Sequence, residues 1–249
     1  DPITPHAVYY PSLATKIFVA SIEAFQHGIR LGIDPEKMFI TGHPIRQDFF
    51  EDPVDIIKHK KELGLDPDMF TITMGGSGDG AEKTYQIIQS LKKINLKNIQ
   101  LIILTGNNTH LAVALKKVKL PGIKLYILPS IGNVHEYLQA SDLVAAKAGP
   151  NILFETIAAG KPFLATYHFR GQENGNLEFI KSTQVGFIEE NPTRAAELLA
   201  LLINNPDLLN QTQKGIKLIR SQLKPAANNI ASEILKTIKH TQTDPFYLH

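Results

Sequence analysis

Residues 70–93 read FTITMGGSGDGAEKTYQIIQSLKK, and the order of their parts decides the fold. Phe70 to Met74 is a short β-rich run of the kind that fills a buried strand. Four glycines follow within Gly75 to Gly80, and a helical pattern then runs over residues 81–93. Strand, glycine turn and helix in that order form one half of a crossover unit. The same alternation continues down the chain. Strands are predicted at Gln100 to Leu104, Lys124 to Leu128, Leu143 to Ala146, Pro162 to Thr166 and Gly186 to Ile188. Helices are predicted near residues 109–117, 134–140, 151–159, 175–183 and 193–203, with two more towards the carboxyl end. Strands that alternate with helices of this length imply right-handed crossovers and a parallel sheet covered on both faces. The expected fold is α/β, a Rossmann-like doubly wound parallel sheet. Upstream, Ile17 to Ala20 and Phe39 to Thr41 read as short strands around a helix at Ile22 to Leu31. The Gly42-His43-Pro44 break then divides the chain into residues 1–41 and 42–249.

Ligands of doubly wound sheets sit at the carboxyl ends of the strands, so the loops entering the helices carry the chemistry. Three stand out. The first is Gly75-Gly76-Ser77-Gly78-Asp79-Gly80, whose glycines let the backbone approach a ligand and turn amides towards an anion. A plain tight turn is the bland alternative, and the loop is not a Walker A sequence because no Gly-Lys-Ser/Thr follows. The second is Lys147-Ala148-Gly149-Pro150-Asn151. Proline suits a first helical turn, and the helix then points its free amides and positive dipole end above Gly149. Glu155, about one turn in, can accept both hydroxyls of a ribose, or can simply complement the helix dipole. The third is His168-Phe169-Arg170-Gly171-Gln172-Glu173-Asn174-Gly175-Asn176. Gln172, Glu173 and Asn176 can hold sugar hydroxyls and Arg170 can reach a phosphate, although a solvated polar loop would look similar.

Composition narrows the classes. Hydrophobic residues make up 43% of the 249 and charged ones 20%, as in an ordinary globular chain. Apolar runs such as Leu198 to Ile203 are far short of the roughly 20 residues that span a bilayer. There is no cysteine, so thiolate ligands and thiol nucleophiles are excluded. A net charge of +2 gives no reason to invoke nucleic acid. None of the three loops carries an Asp-x-Asp pair, so no metal and no other cofactor is expected in the donor site. The chain starts at Asp1 with neither the basic start nor the apolar core of a signal peptide, and reads as a fragment or a processed product.

Together, Ser141-Asp142-Leu143-Val144, Lys147-Ala148-Gly149-Pro150, Glu155 and Gly171-Gln172-Glu173 resemble the donor motifs of one glycosyltransferase family. It contains monogalactosyldiacylglycerol synthases, bacterial processive diacylglycerol glucosyltransferases and the peptidoglycan enzyme that adds N-acetylglucosamine to lipid I. With Gly175-Asn176 the third loop is most similar to the galactolipid synthase branch. The resemblance runs from about Ile17 to about Ile188. It implies a GT-B fold in which residues 42–249 form the nucleotide-sugar domain and residues 1–41 the end of an acceptor-side domain. Gly75, Gly76 and Ser77 would contact the diphosphate, with Lys147, Gly149, Pro150 and Asn151 beside them and Arg46 near the phosphates. Ile131 would pair with uracil through its backbone, Glu155 would hold the ribose, and Gln172, Glu173 and Asn176 would meet the transferred sugar. Asn151 replaces a small residue of the family and Arg170 a proline, which leaves the sugar open.

The function implied is transfer of galactose or glucose from a UDP-sugar to a lipid acceptor such as diacylglycerol, by a cytoplasmic, peripherally membrane-associated protein. The family's catalytic base and acceptor groove belong to the amino-terminal domain, so the piece alone is expected to be inactive. Two other readings stand beside it. One is a non-catalytic donor-binding subunit that needs a partner chain. The other is a UDP-N-acetylglucosamine 2-epimerase, against which the polar Gly171-Gln172-Glu173 loop argues. Lysines 92, 93, 97, 116, 117, 119 and 124 fit either contact with anionic lipid or ordinary solvation.

Overall fold

The computed structural model describes residues 3–11, 13–75, 80–223 and 226–243. Six strands form one sheet: β3 (Phe70–Gly75), β4 (Ile99–Gly106), β5 (Ile123–Pro129), β6 (Leu143–Lys147), β7 (Phe163–Tyr167) and β8 (Gly186–Ile188). Their order is β5-β4-β3-β6-β7-β8, and every neighbouring pair is parallel. The chain winds outward from β3 to one edge, then returns to start again at β6. This is the 3-2-1-4-5-6 order of a dinucleotide-type sheet, with its switch point between β3 and β6. The predicted doubly wound parallel sheet is what the chain forms.

Alternation along the strands places the core. In β6, Leu143 and Ala145 pack into the cluster on one face with Ile72, Met74, Leu101 and Ile103. Val144 and Ala146 pack into the other with Phe163 and Ala165. All four residues are buried, which is why β6 reads as an unbroken apolar run. The first face is covered by α3 (Ala81–Leu91), α4 (Thr109–Lys116) and α8 (Pro192–Asn204). The second is covered by α6 (Pro150–Ala158), α7 (Asn174–Thr183) and α10 (Gln213–Leu223). Each Val, Leu, Ile or Phe side chain buried this way stabilises the fold by about 1.5–3 kcal/mol.

Ahead of this sheet, β1 (Ile17–Val19) and β2 (Met38–Ile40) pair in parallel around α1 (Ile22–Arg30), over a small core of Tyr10, Ile17, Val19, Ala24 and Met38. Helix α11 (Ala226–Thr243) reaches back to this unit, where Lys16 and Glu233 pair at 3.0 Å. Gly42, at φ +85°, carries the link past α11, and a side chain there would press on Ala226 at 3.0 Å.

Two helices depart from the sequence reading. A short α2 (Ile56–Glu62) precedes β3, its first amides capped by the Asp55 carboxylate at 2.9 and 3.0 Å. Three helices, not two, follow α8, because Pro206 starts the five-residue α9 (Pro206–Asn210). Helix α5 (Val134–Gln139) lies where it was predicted.

Candidate functional site: a cleft at the switch point

A cleft of about 380 Å³ opens at the carboxyl ends of β3, β4, β5 and β6. Gly75 ends β3 against Ala146 of β6, and a Cβ at that glycine would lie 2.9 Å from the Ala146 methyl. Only a bare backbone allows the two central strands to meet so closely at the cleft floor. The Gly75 carbonyl accepts the Thr84 hydroxyl at 2.6 Å, which ties the strand end to α3. Gly76 and Ser77 lie outside the described residues.

Helix α6 enters the cleft from its amino end. Gly149 is the cap residue and makes no side-chain cap, Pro150 opens the helix, and Asn151, Ile152 and Glu155 line the space. The first-turn amides of such a helix have no intrahelical acceptor, so they and the dipole face the cleft. Glu155 is half-buried, and burial raises its carboxyl above the usual range while Arg46 pulls it back. Arg46 stands at the mouth: its guanidinium bonds the Gly132 carbonyl at 3.5 Å, lies 3.8 Å from Asp48 and covers the Phe49 ring at 5.3 Å. Ile131, on the β5–α5 turn, forms the wall opposite α6.

The remaining predicted residues face elsewhere. Glu173 lines a second cavity of about 450 Å³, with Gln172, Asn176, His43 and Tyr10. Glu173 has little freedom there. Its side chain is 4% exposed, one oxygen takes the Lys147 ammonium at 2.5 Å, and the other takes the Phe169 amide at 2.8 Å. The same ammonium lies 4.6 Å over the Phe169 ring and lines the first cleft. Lys147 therefore links the two spaces. Asn176 is fully buried and donates to the Ala148 carbonyl at 2.7 Å, while its Oδ1 has no partner among the described residues. Gln172 and Arg170 are exposed.

Two features escaped the sequence reading. His168 is held between Glu190 at 2.7 Å and Asn174 at 3.1 Å, and Asn174 also accepts the Gly171 amide at 3.0 Å. This brace fixes the third loop, and part of its polar content is spent on itself. His43 stacks on Phe154 of α6 at 4.7 Å, and burial lowers its pKa, opposed by a hydrogen bond that its ring makes with Asn151. The chain does contain one Asp-x-Asp triplet, Asp66-Pro67-Asp68, but it precedes β3 at the far end of the sheet, where Asp66 pairs with Lys124 at 2.9 Å.

With this geometry in place, the comparisons with known proteins are specific. Residues 71–174 match the glycosyltransferase family 28 C-terminal domain. A spinach (Spinacia oleracea) chloroplast monogalactosyldiacylglycerol synthase is 26% identical over 208 residues, covering 80% of this chain and 39% of that protein. A processive diacylglycerol beta-glucosyltransferase of Staphylococcus aureus is 25% identical over 236 residues, covering 95% and 60%. The chain thus spans only part of the length of these relatives. Among solved structures, Anabaena HepE in complex with UDP-glucose superposes with a TM-score of 0.64 at 17% identity, over 91% of this chain and 64% of that one. A Listeria monocytogenes protein assigned as a UDP-N-acetylglucosamine 2-epimerase superposes at 0.65 and 19%, over 93% and 61%. These likenesses establish the fold. Among the described residues no helix is long and apolar enough to cross a membrane.

Proposed function

We propose that this chain is the donor-binding part of a UDP-sugar-dependent hexosyltransferase that passes galactose or glucose to a lipid acceptor such as diacylglycerol. Residues 42–249 would form the donor domain and residues 1–41 the edge of the acceptor side. The observation that carries the reading is a convergence in one cleft. The glycine end of β3, the free amides of α6 and the Glu155 carboxylate meet there, which is what a diphosphate joined to a ribose requires. The two relatives, a galactolipid synthase and a diacylglycerol glucosyltransferase, favour a lipid acceptor. A protein acting on such a lipid would sit peripherally on the cytoplasmic face of a membrane.

In this reading uracil lies along Ile131, both ribose hydroxyls donate to Glu155, and the diphosphate lies over Gly75 and the start of α6. The sugar points past Gly149 and Pro150 towards Gln172, Glu173 and Asn176. Departure of UDP leaves negative charge on the diphosphate. Fixed amides and a helix dipole stabilise such charge without reorganising, so the site should need no divalent cation. The Lys147 ammonium adds positive charge at the same edge.

The test is UDP binding in the presence of a chelator, followed by thermal unfolding and calorimetry. UDP at a hundred times its dissociation constant should add about 2.7 kcal/mol, a rise in melting temperature of roughly 5–10 °C. No shift at saturation, or a shift that appears only with magnesium or manganese, would overturn the reading.

A further inference from the structure

The opposite end of β6 holds a second, smaller pocket of about 270 Å³ between the end of α6, the start of α10 and the segment after Glu51. Its contents are unusual in charge. Arg220 of α10 holds Asp52 in a two-point pair at 2.9 Å on each oxygen and also donates to the Phe50 carbonyl at 2.7 Å. Behind the pocket, Lys60 lies 3.4 Å from Asp142, whose carboxylate also takes the Thr71 amide at 2.7 Å. Both carboxylates near the pocket are therefore already matched by a cation. Two lysines are left over. Lys217 is exposed at the mouth, while Lys161 stands largely inside, between the two ion pairs.

Lys161 follows Gly160, which ends α6 at φ +74°. A lysine there would ordinarily cap the last helical carbonyls. It does not do so here: among the described residues its ammonium makes no hydrogen bond and no ion pair. A partly buried ammonium without a partner is costly, so such groups are normally paired. Burial holds the Lys161 pKa below the ordinary lysine value, with Asp142 and Asp52 opposing that shift and Lys60 and Arg220 adding to it.

We propose that this pocket binds a phosphate-class oxyanion, gripped by the Lys161 ammonium with Lys217 at its mouth and Gln213 beside it. The anion is either free phosphate or the phosphomonoester of a small metabolite. The pocket lies at the amino ends of β6 and β7, and the cleft lies at the carboxyl ends, so the two share no residue. The proposal does not depend on the donor reading. An occupied pocket keeps Lys161 charged, so binding weakens as pH rises into the ordinary lysine range.

Calorimetric titration of the whole chain with inorganic phosphate tests this, at constant ionic strength held with chloride and with saturating UDP to occupy the cleft. A second arm uses glycerol 3-phosphate, and the tighter of the two identifies the source. The expected result is saturable binding that Lys161→Met weakens about tenfold or more, the loss of a charge-assisted contact. Lys217→Glu, on an exposed side chain that cannot disturb folding, should weaken it by a smaller but clear factor. Lys93→Met, on an exposed lysine that lines neither the pocket nor the cleft, should leave it unchanged. Absence of saturable binding to either anion, or equal binding by the wild type and both lysine variants, overturns the proposal. So does an equal loss of binding in Lys93→Met, because the effect would then be one of overall charge and not of this pocket.

Discussion

Glu155 is where binding and stability pull in opposite directions. Its carboxyl is pushed up chiefly by burial in the cleft, against the attraction of Arg46. The native state therefore keeps the proton to a higher pH than the unfolded chain does. Below about pH 4.3, the ordinary glutamate value, both states are protonated and Glu155 costs nothing. Above it, stability falls as pH rises towards the native pKa, and beyond that point the whole penalty is present. Glu155→Gln keeps the shape and removes the charge. We expect it to raise the melting temperature of the ligand-free protein at pH 7 and to flatten the decline above pH 4.3. The same change should weaken UDP by about 1.5–3 kcal/mol, the range for hydrogen bonds to a charged acceptor. Inorganic pyrophosphate has no ribose and should bind as before. Melting curves across pH, with calorimetry on both ligands, decide the matter. Equal losses for UDP and pyrophosphate would reduce Glu155 to a helix charge, and a Gln variant no more stable than the wild type would remove the stored penalty.

At the scale of elements, one ion pair ties the end of β6 to the third loop and the start of α7. Lys147 ends β6, and Glu173 caps the amino end of α7 with its side chain almost fully buried. Removing one partner of a buried pair strands the other, at a cost of several kcal/mol. Lys147 keeps 27% of its side chain exposed, so the lower part of that range applies. Glu173→Gln should cost about 3 kcal/mol and lower the melting temperature by roughly 6–12 °C. The loss should fall most heavily on residues 168–174, as faster amide exchange of that loop than of β7. Uniform acceleration across the sheet would mean that the pair holds the whole domain instead. This pair also marks where sequence reading stops. Strands such as Leu143–Lys147 and helices such as Pro150–Ala158 were legible because period, proline and glycine act within a few residues. The pairing of Lys147 with Glu173 spans 26 positions, and His168 with Glu190 spans 22. Nothing local in the chain signals either contact. The reading named Gln172, Glu173 and Asn176 as groups that meet the transferred sugar; it did not foresee that Lys147 and the Phe169 amide engage both Glu173 oxygens, or that the three residues line a cavity beside the cleft. Helix α2 was overlooked for a similar reason: seven residues crowded with lysine show little apolar periodicity, and the Asp55 cap is the only local cue.

At the scale of the whole molecule, binding and transfer make different demands. The described lining of the cleft comes from the six-stranded unit, so we predict that the chain as given takes up UDP-sugar. Transfer also needs an acceptor hydroxyl held beside the sugar and a base within about 3 Å of it, or one water away. Holding two reactants in line supplies about 7–11 kcal/mol of barrier reduction, more than donor binding can replace. The chain spans 39% of the spinach relative and 60% of the staphylococcal one. On the side where the sugar would emerge, the cavity is walled by Tyr9, Tyr10, Phe18 and Gln172, next to a sheet of two strands. We therefore predict that the 249-residue chain binds UDP-sugar but does not carry its sugar to diacylglycerol. Addition of an acceptor-side domain, fused ahead of Asp1 or supplied as a separate chain, should bring transfer into range. Incorporation of radiolabelled sugar into lipid vesicles measures it directly, with UDP binding followed in the same preparation. Multiple turnovers by the chain alone would show that these residues already position an acceptor. Intact UDP binding with no transfer even after an acceptor-side domain is added would favour a subunit that only binds the donor.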